Sequence, residues 1–141
     1  MDFLAKLTEL TKKRNELNKE LGKELMAAIK ETIKEVFKNP KVIQIAWYQY
    51  TMNWNDGDNC YFKVYEPRIT FRDIEDEVSL WELNYDDHIG RLLTDQEDVL
   101  IANLYDACRN NKDLMKDLFG DGVEVICKAN EIEIRDYSDH D

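Results

Sequence analysis

The stretch WYQYTMNWNDGDNCYFKVY, residues 47–65, holds seven of the fifteen aromatic residues of the chain. Two strand-like runs flank Asn55-Asp56-Gly57-Asp58 in its middle. Asp-Gly between such runs is a strong hairpin signal, because a type I′ turn needs positive φ at both central residues. The sequence therefore predicts an antiparallel hairpin. With Asp56 and Gly57 as the loop, the predicted cross-strand pairs are Gln49 with Val64, Tyr50 with Lys63, and Thr51 with Phe62.

The two faces of this hairpin differ in character. Side chains alternate between the two faces along a strand, so residues two apart in the same strand share a face. The face predicted to join the core carries Ile43, Ile45, Trp47, Cys60, Phe62 and Val64. The opposite face carries Tyr48, Tyr50, Met52, Trp54, Tyr61, Lys63 and Tyr65. Aromatic rings with polar tips suit a contacted but partly wet surface. Burial under a helix, a partner-binding surface and a small-ligand pocket are three interpretations of it.

Outside the hairpin, the pattern predicts one α+β domain over residues 1–141. Residues 1–38 contain no proline and one glycine and read as a long helix, which Asn39-Pro40 ends. Loosely alternating strands are predicted at 68–72 and 78–83. Thr94 and Glu97 form a capping box that opens a second helix reaching about residue 118. Its candidate core residues are Val99, Leu100, Ala107, Cys108, Leu114, Met115 and Leu118. A second hairpin is predicted at 123–136, so the sheet is mostly antiparallel and built from two hairpins.

The apolar spacing of the first helix changes along its length. It steps by three and four at Phe3, Leu7, Leu10, Leu17 and Leu21, then by strict fours through Leu25, Ile29, Ile33 and Phe37. A strict four-residue step drifts around the helix, so the pattern does not support a sustained heptad coiled coil. A helix this long exceeds a compact domain of this size. We therefore expect either a bend near Gly22 or a projecting first half that pairs with a second copy through residues 3–21.

Charge divides the chain and restricts its partners. The net charge is −11; residues 1–38 hold nine basic and seven acidic residues, whereas residues 39–141 hold ten and twenty-three. A body this acidic repels phosphates, so direct nucleic acid binding is not expected. It favours a protein partner with a basic surface. No apolar run is long enough for a membrane span, and three widely spaced cysteines fit a reduced, cytoplasmic setting.

Motifs for catalysis or cofactors are weak. The oxygen-rich run at residues 53–58 does not match the ligand spacing of a calcium loop. Asp86, Asp87, His88 and His140 could form a metal-dependent hydrolase site, but no spacing fixes their geometry. Neither serine lies in a nucleophile turn, and no glycine-rich phosphate loop is present. We therefore predict no cofactor, no metal and no catalytic residue.

Three patches of the sequence resemble a set of short proteins from bacteria and their phages. These are Trp47-x-Gln49-Tyr50-Thr51, then Asn55-Asp56-Gly57-Asp58-x-Cys60-x-Phe62, and Phe119-Gly120-Asp121 before a closing hairpin and a final His140-Asp141. They cover about a third of the chain. The resemblance implies a bacterial or viral setting and no catalytic residue; small acidic domains there act as inhibitors or immunity proteins, by analogy of size and charge.

The leading hypothesis is a non-enzymatic interaction protein that occludes a basic surface of a partner. Aromatic residues would anchor it and carboxylates would steer it. The alternative is a nucleotide-like small-molecule binder that uses Gln49, Asn53 and Trp54, and the third is the metal-dependent hydrolase. The partner-binding residues predicted for the leading hypothesis are Tyr48, Tyr50, Trp54, Tyr61, Tyr65, Asp73, Glu75, Asp76, Glu77, Asp86 and Asp87.

Overall fold

The computed structural model describes residues 2–52, 60–85 and 92–137. The helices are α1 (Phe3–Val36), α2 (Leu80–Tyr85), α3 (Asp95–Asn110) and α4 (Lys112–Phe119). The strands are β1 (Val42–Thr51), β2 (Phe62–Val64), β3 (Arg68–Phe71), β4 (Val78–Ser79), β5 (Val123–Cys127) and β6 (Ile132–Asp136). This is the predicted α+β class, with a long N-terminal helix and a second helical segment before the C-terminal hairpin.

All pairings in the sheet are antiparallel, and β1 is its central strand. The strand order is β4-β3-β1-β5-β6, and β2 pairs with the end of β1. The three pairs predicted from the Asp-Gly turn are confirmed: Gln49 with Val64, Tyr50 with Lys63, and Thr51 with Phe62. The second hairpin is confirmed too, since Cys127 pairs with Ile132. Two hairpins therefore supply most of the sheet, as predicted.

A bulge in β1 corrects the predicted core face. Val42 pairs with Phe71 but Gln44 pairs with Thr70, so Ile43 is the extra residue. An extra residue shifts alternation by one, which puts Val42 in the core and leaves Ile43 exposed. Cys60, also predicted for the core, precedes β2 and is exposed. The remaining predicted core residues of the hairpin, Ile45, Trp47, Phe62 and Val64, are buried.

The helices pack on one face of the sheet. The core joins Leu25, Ile29 and Ile33 of α1 to residues of α2, α3, α4 and of every strand up to β5. We call this side of the sheet the packed face and the other side the open face. No helix among the described residues covers the open face, so the tyrosines predicted there do not lie beneath α1.

Helix α1 is one unbroken helix of 34 residues, about 50 Å long. Its buried residues begin at Gly22 and continue through Leu25, Ile29, Ile33 and Val36. Residues 3–21 are exposed apart from a half-buried Thr11. The helix therefore runs through Gly22 without interruption, and its first half projects from the body.

Two other helix predictions need correction. The capping box at Thr94 and Glu97 is present, but the helix that it opens ends at Asn110, and a second helix starts at Lys112. Asn111 lies between them with φ −124° and ψ 43°, outside the helical region. Val99, predicted as core, is exposed, and Ile101 and Leu104 are buried instead.

Residues 80–83, predicted as strand, form the start of α2 after a strand of only two residues. The described helices include none with both the length and the apolar character that a bilayer span requires.

Candidate functional site

The open face of the sheet carries a cluster of four tyrosines, which we call the tyrosine face: Tyr48, Tyr50, Tyr65 and Tyr137. Tyr48 stacks on Tyr137 with ring centroids 4.2 Å apart, and Tyr50 stacks on Tyr65 at 4.5 Å. Tyr50 also meets Tyr137 at 5.3 Å, which joins the two stacks. All four are half-buried. The cluster is therefore a continuous aromatic surface with one edge in water.

The phenol groups of this cluster influence one another. Burial raises the pKa of the Tyr65 phenol well above its ordinary value, and a hydrogen bond with Tyr50 raises it further. The neighbouring phenols Tyr61 and Tyr137 act in the same direction. The Tyr65 phenol therefore stays neutral at physiological pH and presents a hydroxyl and a ring face rather than charge.

Tyr61, predicted for the same surface, is placed differently. Its ring is exposed and lies 5.1 Å from Nζ of Lys112 on α4. Tyr137 takes the fourth place in the stack and was not predicted. It follows β6, which lies across the sheet from β2, so only the sheet order brings it to Tyr48 and Tyr50. Local sequence carries no signal for this contact.

Arg68 ties the tyrosine face to acidic residues. Its guanidinium carbon lies 4.1 Å from the centre of the Tyr48 ring, and its Nη2 lies 2.6 Å from Oε2 of Glu124. Nη1 is 3.5 Å from Oε1 of Glu77. The side chains of Arg68 and Glu124 are only 18% and 19% exposed, so this pair is partly desolvated. Nε of Arg68 is buried and has no hydrogen-bond partner among the described residues.

The acidic turn between β3 and β4 contains the predicted carboxylates. Asp73, Glu75, Asp76 and Glu77 are all exposed. Because Phe71 pairs with Val42, this turn lies at the end of the sheet where β1 begins. Tyr50 and Tyr65 lie toward the other end. Arg68, which contacts both Glu77 and Tyr48, links the two regions.

The motif residues Trp47, Gln49 and Thr51 meet the turn that follows α4. Gln49 is fully buried; its Oε1 accepts from Nε1 of Trp47 at 3.0 Å. Its Nε2 donates to the carbonyls of Met115 and Gly120, at 2.9 and 2.8 Å. The side-chain amide of Gln49 thus satisfies groups inside the protein, and this favours a structural role for it.

Thr51 closes the same junction from the exposed side. Its amide donates to Oδ1 of Asp121 at 2.9 Å, and its hydroxyl donates to Oδ2 at 2.7 Å. The ring of Trp47 meets that of Phe119 edge-on, with centroids 6.1 Å apart. Two patches of the sequence motif, 47–51 and 119–121, are therefore one packed joint between β1 and the end of α4. Gln49 lies two residues after Trp47 and four after Ile45, so its side chain is on the same face of β1. The alternation of side chains along the strand could therefore have predicted its burial.

The projecting half of α1 carries a second unusual surface. We call its apolar row, Phe3, Leu7, Leu10, Leu17 and Leu21, the leucine stripe. Each of these residues is at least half exposed, from 50% for Leu21 to 76% for Phe3. The steps of four and three place them on one side of the helix. The packed half of α1 carries the strict four-residue steps, so the change of spacing coincides with the edge of the body.

Several predicted residues lie outside the described part of the chain. These are Asn53, Trp54, Asp86, Asp87, His88 and His140, together with the Asn55-Asp56-Gly57-Asp58 turn. Within the described ranges, no group of three or more His, Cys, Asp or Glu residues is arranged to hold a metal ion.

The thiols differ in environment. Cys60 is exposed, whereas Cys108 and Cys127 are buried. Burial raises the pKa of each buried thiol to about 12, and the neighbouring Cys108 adds to the effect at Cys127. The two buried thiols are therefore protonated and unreactive at neutral pH.

Comparison with known proteins adds no relative: no protein-family model, no curated protein and no solved structure matches this chain.

Proposed function

We propose that the chain is a non-enzymatic interaction protein that pairs with a second copy of itself through residues 3–21 and engages a basic protein surface with its acidic body. The observation that carries this proposal is the leucine stripe. The five large apolar side chains of the stripe stand exposed along the projecting half of α1. Exposed apolar rows on soluble domains mark contact sites, because leaving them in water forgoes about 1.5–3 kcal/mol each.

The spacing of the stripe suits a short coiled coil. Phe3, Leu10 and Leu17 follow one another at intervals of seven residues, and so do Leu7, Arg14 and Leu21. This is an a/d pattern over nearly three heptads, or about five helical turns. In a parallel pair Arg14 would face its own copy. In an antiparallel pair centred near residue 12, Arg14 would face Leu10 instead.

Charge also favours the antiparallel pair. A parallel pair places two acidic bodies side by side at one end. An antiparallel pair separates them by roughly 30 Å of helix, well beyond the Debye length of about 8 Å. It also brings Lys6 near Glu20 of the second copy. Lys13 would approach its own copy, but in each chain its Nζ already lies 3.5 Å from Glu9.

Light scattering tests self-association directly. The full chain should have twice the 16.7 kDa chain mass, and Leu10→Glu with Leu17→Glu should have the single mass. Thr8→Glu with Asn15→Glu is the matched control, because it adds the same two charges on the side of the helix away from the stripe. A monomeric parent chain would refute the pairing, and a dimeric stripe variant would refute this interface.

The surface that we propose for the partner is the tyrosine face together with the acidic turn. Half-buried tyrosines supply apolar area at low entropic cost, and nearby carboxylates steer a basic surface toward them. An inhibitor or immunity protein, encoded by a bacterium or its phage and acting in the bacterial cytoplasm, would use such a surface to cover the basic groove of a target. This setting rests on the resemblance of the motif patches and on the charge of the body.

Partner capture with matched variants tests this second half of the proposal. The tagged chain is incubated with bacterial lysate at low and at high salt, and bound proteins are identified. We expect the chain to capture a protein with a basic surface. This protein should no longer be captured at high salt, nor by the variant that carries both Tyr48→Ser and Tyr65→Ser. Tyr105→Ser on α3 is the aromatic control and should retain it. If neither high salt nor the tyrosine substitutions reduce capture, the proposed partner surface is wrong.

A further inference from the structure

A groove runs along α1 on the side of the helix away from the leucine stripe, and lysines line it. Its first part lies between the end of α1, the end of α4 and the β5–β6 turn, with a volume of about 720 Å³. Its second part lies between the middle of α1 and α4, with a volume of about 660 Å³. Met26 and Leu118 line both parts, so the two parts adjoin along α1. We call it the lysine groove.

The floor of the lysine groove is apolar. Ile134 is 48% exposed there, and Met26, Phe37 and Leu118 are half-buried. Gly22 lies in the second part, and a Cβ atom at this position would have no neighbour within 4 Å outside its own helical turn. The lining therefore offers apolar area and unfilled space to a ligand.

The rim of the groove is basic although the chain as a whole is acidic. Lys30 and Lys34 border the first part, one helical turn apart, and Lys19 and Lys23 border the second part with the same spacing. None of these four lysines forms an ion pair with any described residue. Lys38 and Lys128 also border the first part and are paired, with Glu35 and with Glu131 and Glu133. Asp117 and Glu131 are the acidic residues of the lining.

We propose that this groove binds an acidic amphipathic helix of a protein partner. The groove follows α1 from residue 15 to residue 38, about 35 Å, which matches a helix of six or more turns. Lysines four residues apart match carboxylates at the same spacing on a helix alongside, and the floor takes the apolar row of that helix. A single fatty-acid carboxylate would engage one or two of these lysines and leave the others unused.

Nucleic acid fits this groove less well. A phosphate backbone gains nothing from an apolar floor, and the body, with twenty-three acidic residues against ten basic ones, repels it. This groove and the proposed tyrosine surface would bind ligands of opposite charge from different sides of the molecule. The groove therefore adds a site to the proposed function and does not depend on it.

Fluorescence anisotropy with a designed probe tests the proposal. The probe is a labelled amphipathic peptide of about 24 residues, the length of the groove, with leucines at steps of three and four and glutamates on either side of them. A second peptide of identical composition has its order permuted so that no apolar face forms. The full chain should bind the first peptide saturably and the permuted one at least about tenfold more weakly.

Groove variants locate the site. Lys30→Glu with Lys34→Glu should weaken binding about tenfold or more, and Lys12→Glu with Lys41→Glu, which changes the net charge equally outside the groove, should not. Gly22→Phe, which fills the second part without altering charge, should weaken binding as well. Circular dichroism of each variant checks that α1 is intact.

Three outcomes overturn the proposal. The first is equal affinity for both peptides, which would indicate charge attraction without a groove. The second is unchanged binding by the Lys30→Glu, Lys34→Glu variant. The third is no peptide binding together with binding to phosphatidylglycerol vesicles, which would assign the groove to anionic lipid.

Discussion

The indole nitrogen of Trp47 donates to the side-chain oxygen of Gln49, two residues along the same strand, at 3.0 Å. The same amide then donates to two carbonyls at the end of α4. We predict that Gln49→Leu lowers the free energy of unfolding by about 3 kcal/mol, because it leaves one donor and two acceptors unpaired in the core. Urea unfolding measures it. Gln44→Ala, on the open face of the same strand, is the control and should cost under about 1 kcal/mol.

Gly22 offers a stabilising substitution. It lies in the interior of α1, and a Cβ there would contact nothing within 4 Å. Gly22→Ala should therefore raise the free energy of unfolding by about 0.5–1 kcal/mol through helix propensity alone. Thermal unfolding followed by circular dichroism checks this. A decrease in melting temperature would show that the helix is not continuous through this position.

Arg68 and Glu124 provide a test of the partly buried ion pair. Arg68→Met keeps the length of the stem but leaves Glu124 without its partner, at an expected cost of about 2 kcal/mol. In the Glu124→Gln background the same substitution should cost less, because no charge is stranded. A double-mutant cycle measures the difference. Equal costs in both backgrounds would show that Arg68 contributes through its contact with Tyr48 and not through the ion pair.

The buried thiols predict a loss of stability at alkaline pH. Their folded pKa of about 12 lies above the unfolded value, so the unfolded chain releases these protons first. The stability that they contribute is complete below about pH 8.5 and falls as the pH rises toward 12, by up to about 1.4 kcal/mol per pH unit for each thiol. Cys108→Ala with Cys127→Ala should show a shallower decline than the parent chain.

Thiol labelling provides an independent check. Cys60 alone should react rapidly in the folded protein, and all three cysteines should react in denaturant. Fast reaction of three thiols under native conditions would contradict the burial of Cys108 and Cys127.

The antiparallel arrangement predicts a crosslinking pattern. In a Cys60→Ser background, Leu7→Cys chains mixed with Leu17→Cys chains should form disulfide-linked heterodimers, because these positions face each other when the pair is centred near residue 12. Neither variant alone should crosslink. Self-crosslinking of Leu7→Cys would indicate the parallel arrangement. Electrophoresis without reductant distinguishes the two.

Local sequence predicted the elements whose causes are local. The Asp-Gly pair in the sequence predicted the pairing of Gln49 with Val64, and Thr94 with Glu97 predicted the start of α3. The bulge at Ile43 was beyond such reasoning, since it depends on how β1 pairs with β3, more than twenty residues away in sequence. The break at Asn111 was also missed, because no proline or glycine marks it.

The candidate sites were predictable in part for the same reason. Alternation placed Tyr48, Tyr50 and Tyr65 on one face, but Tyr137 joins them only through the strand order. The spacing of the apolar residues predicted the leucine stripe. Its exposure could not be predicted, because it depends on which part of α1 packs against the body. The lysine groove depends on α4 and the β5–β6 turn lying beside α1. No pattern within the helix indicates that.

Because α1 is continuous through Gly22, the number of residues in it fixes the direction of the leucine stripe relative to the rest of the molecule. One residue inserted between 21 and 25 would turn the leucine stripe by about 100° relative to the first part of the lysine groove, which uses residues 26–38 at the end of α1, whereas seven would return it to within about 20° and move it about 10 Å outward. Single insertions would therefore separate the two surfaces in direction, and heptad insertions only in distance. Natural length variation in this segment is expected to occur in steps of seven.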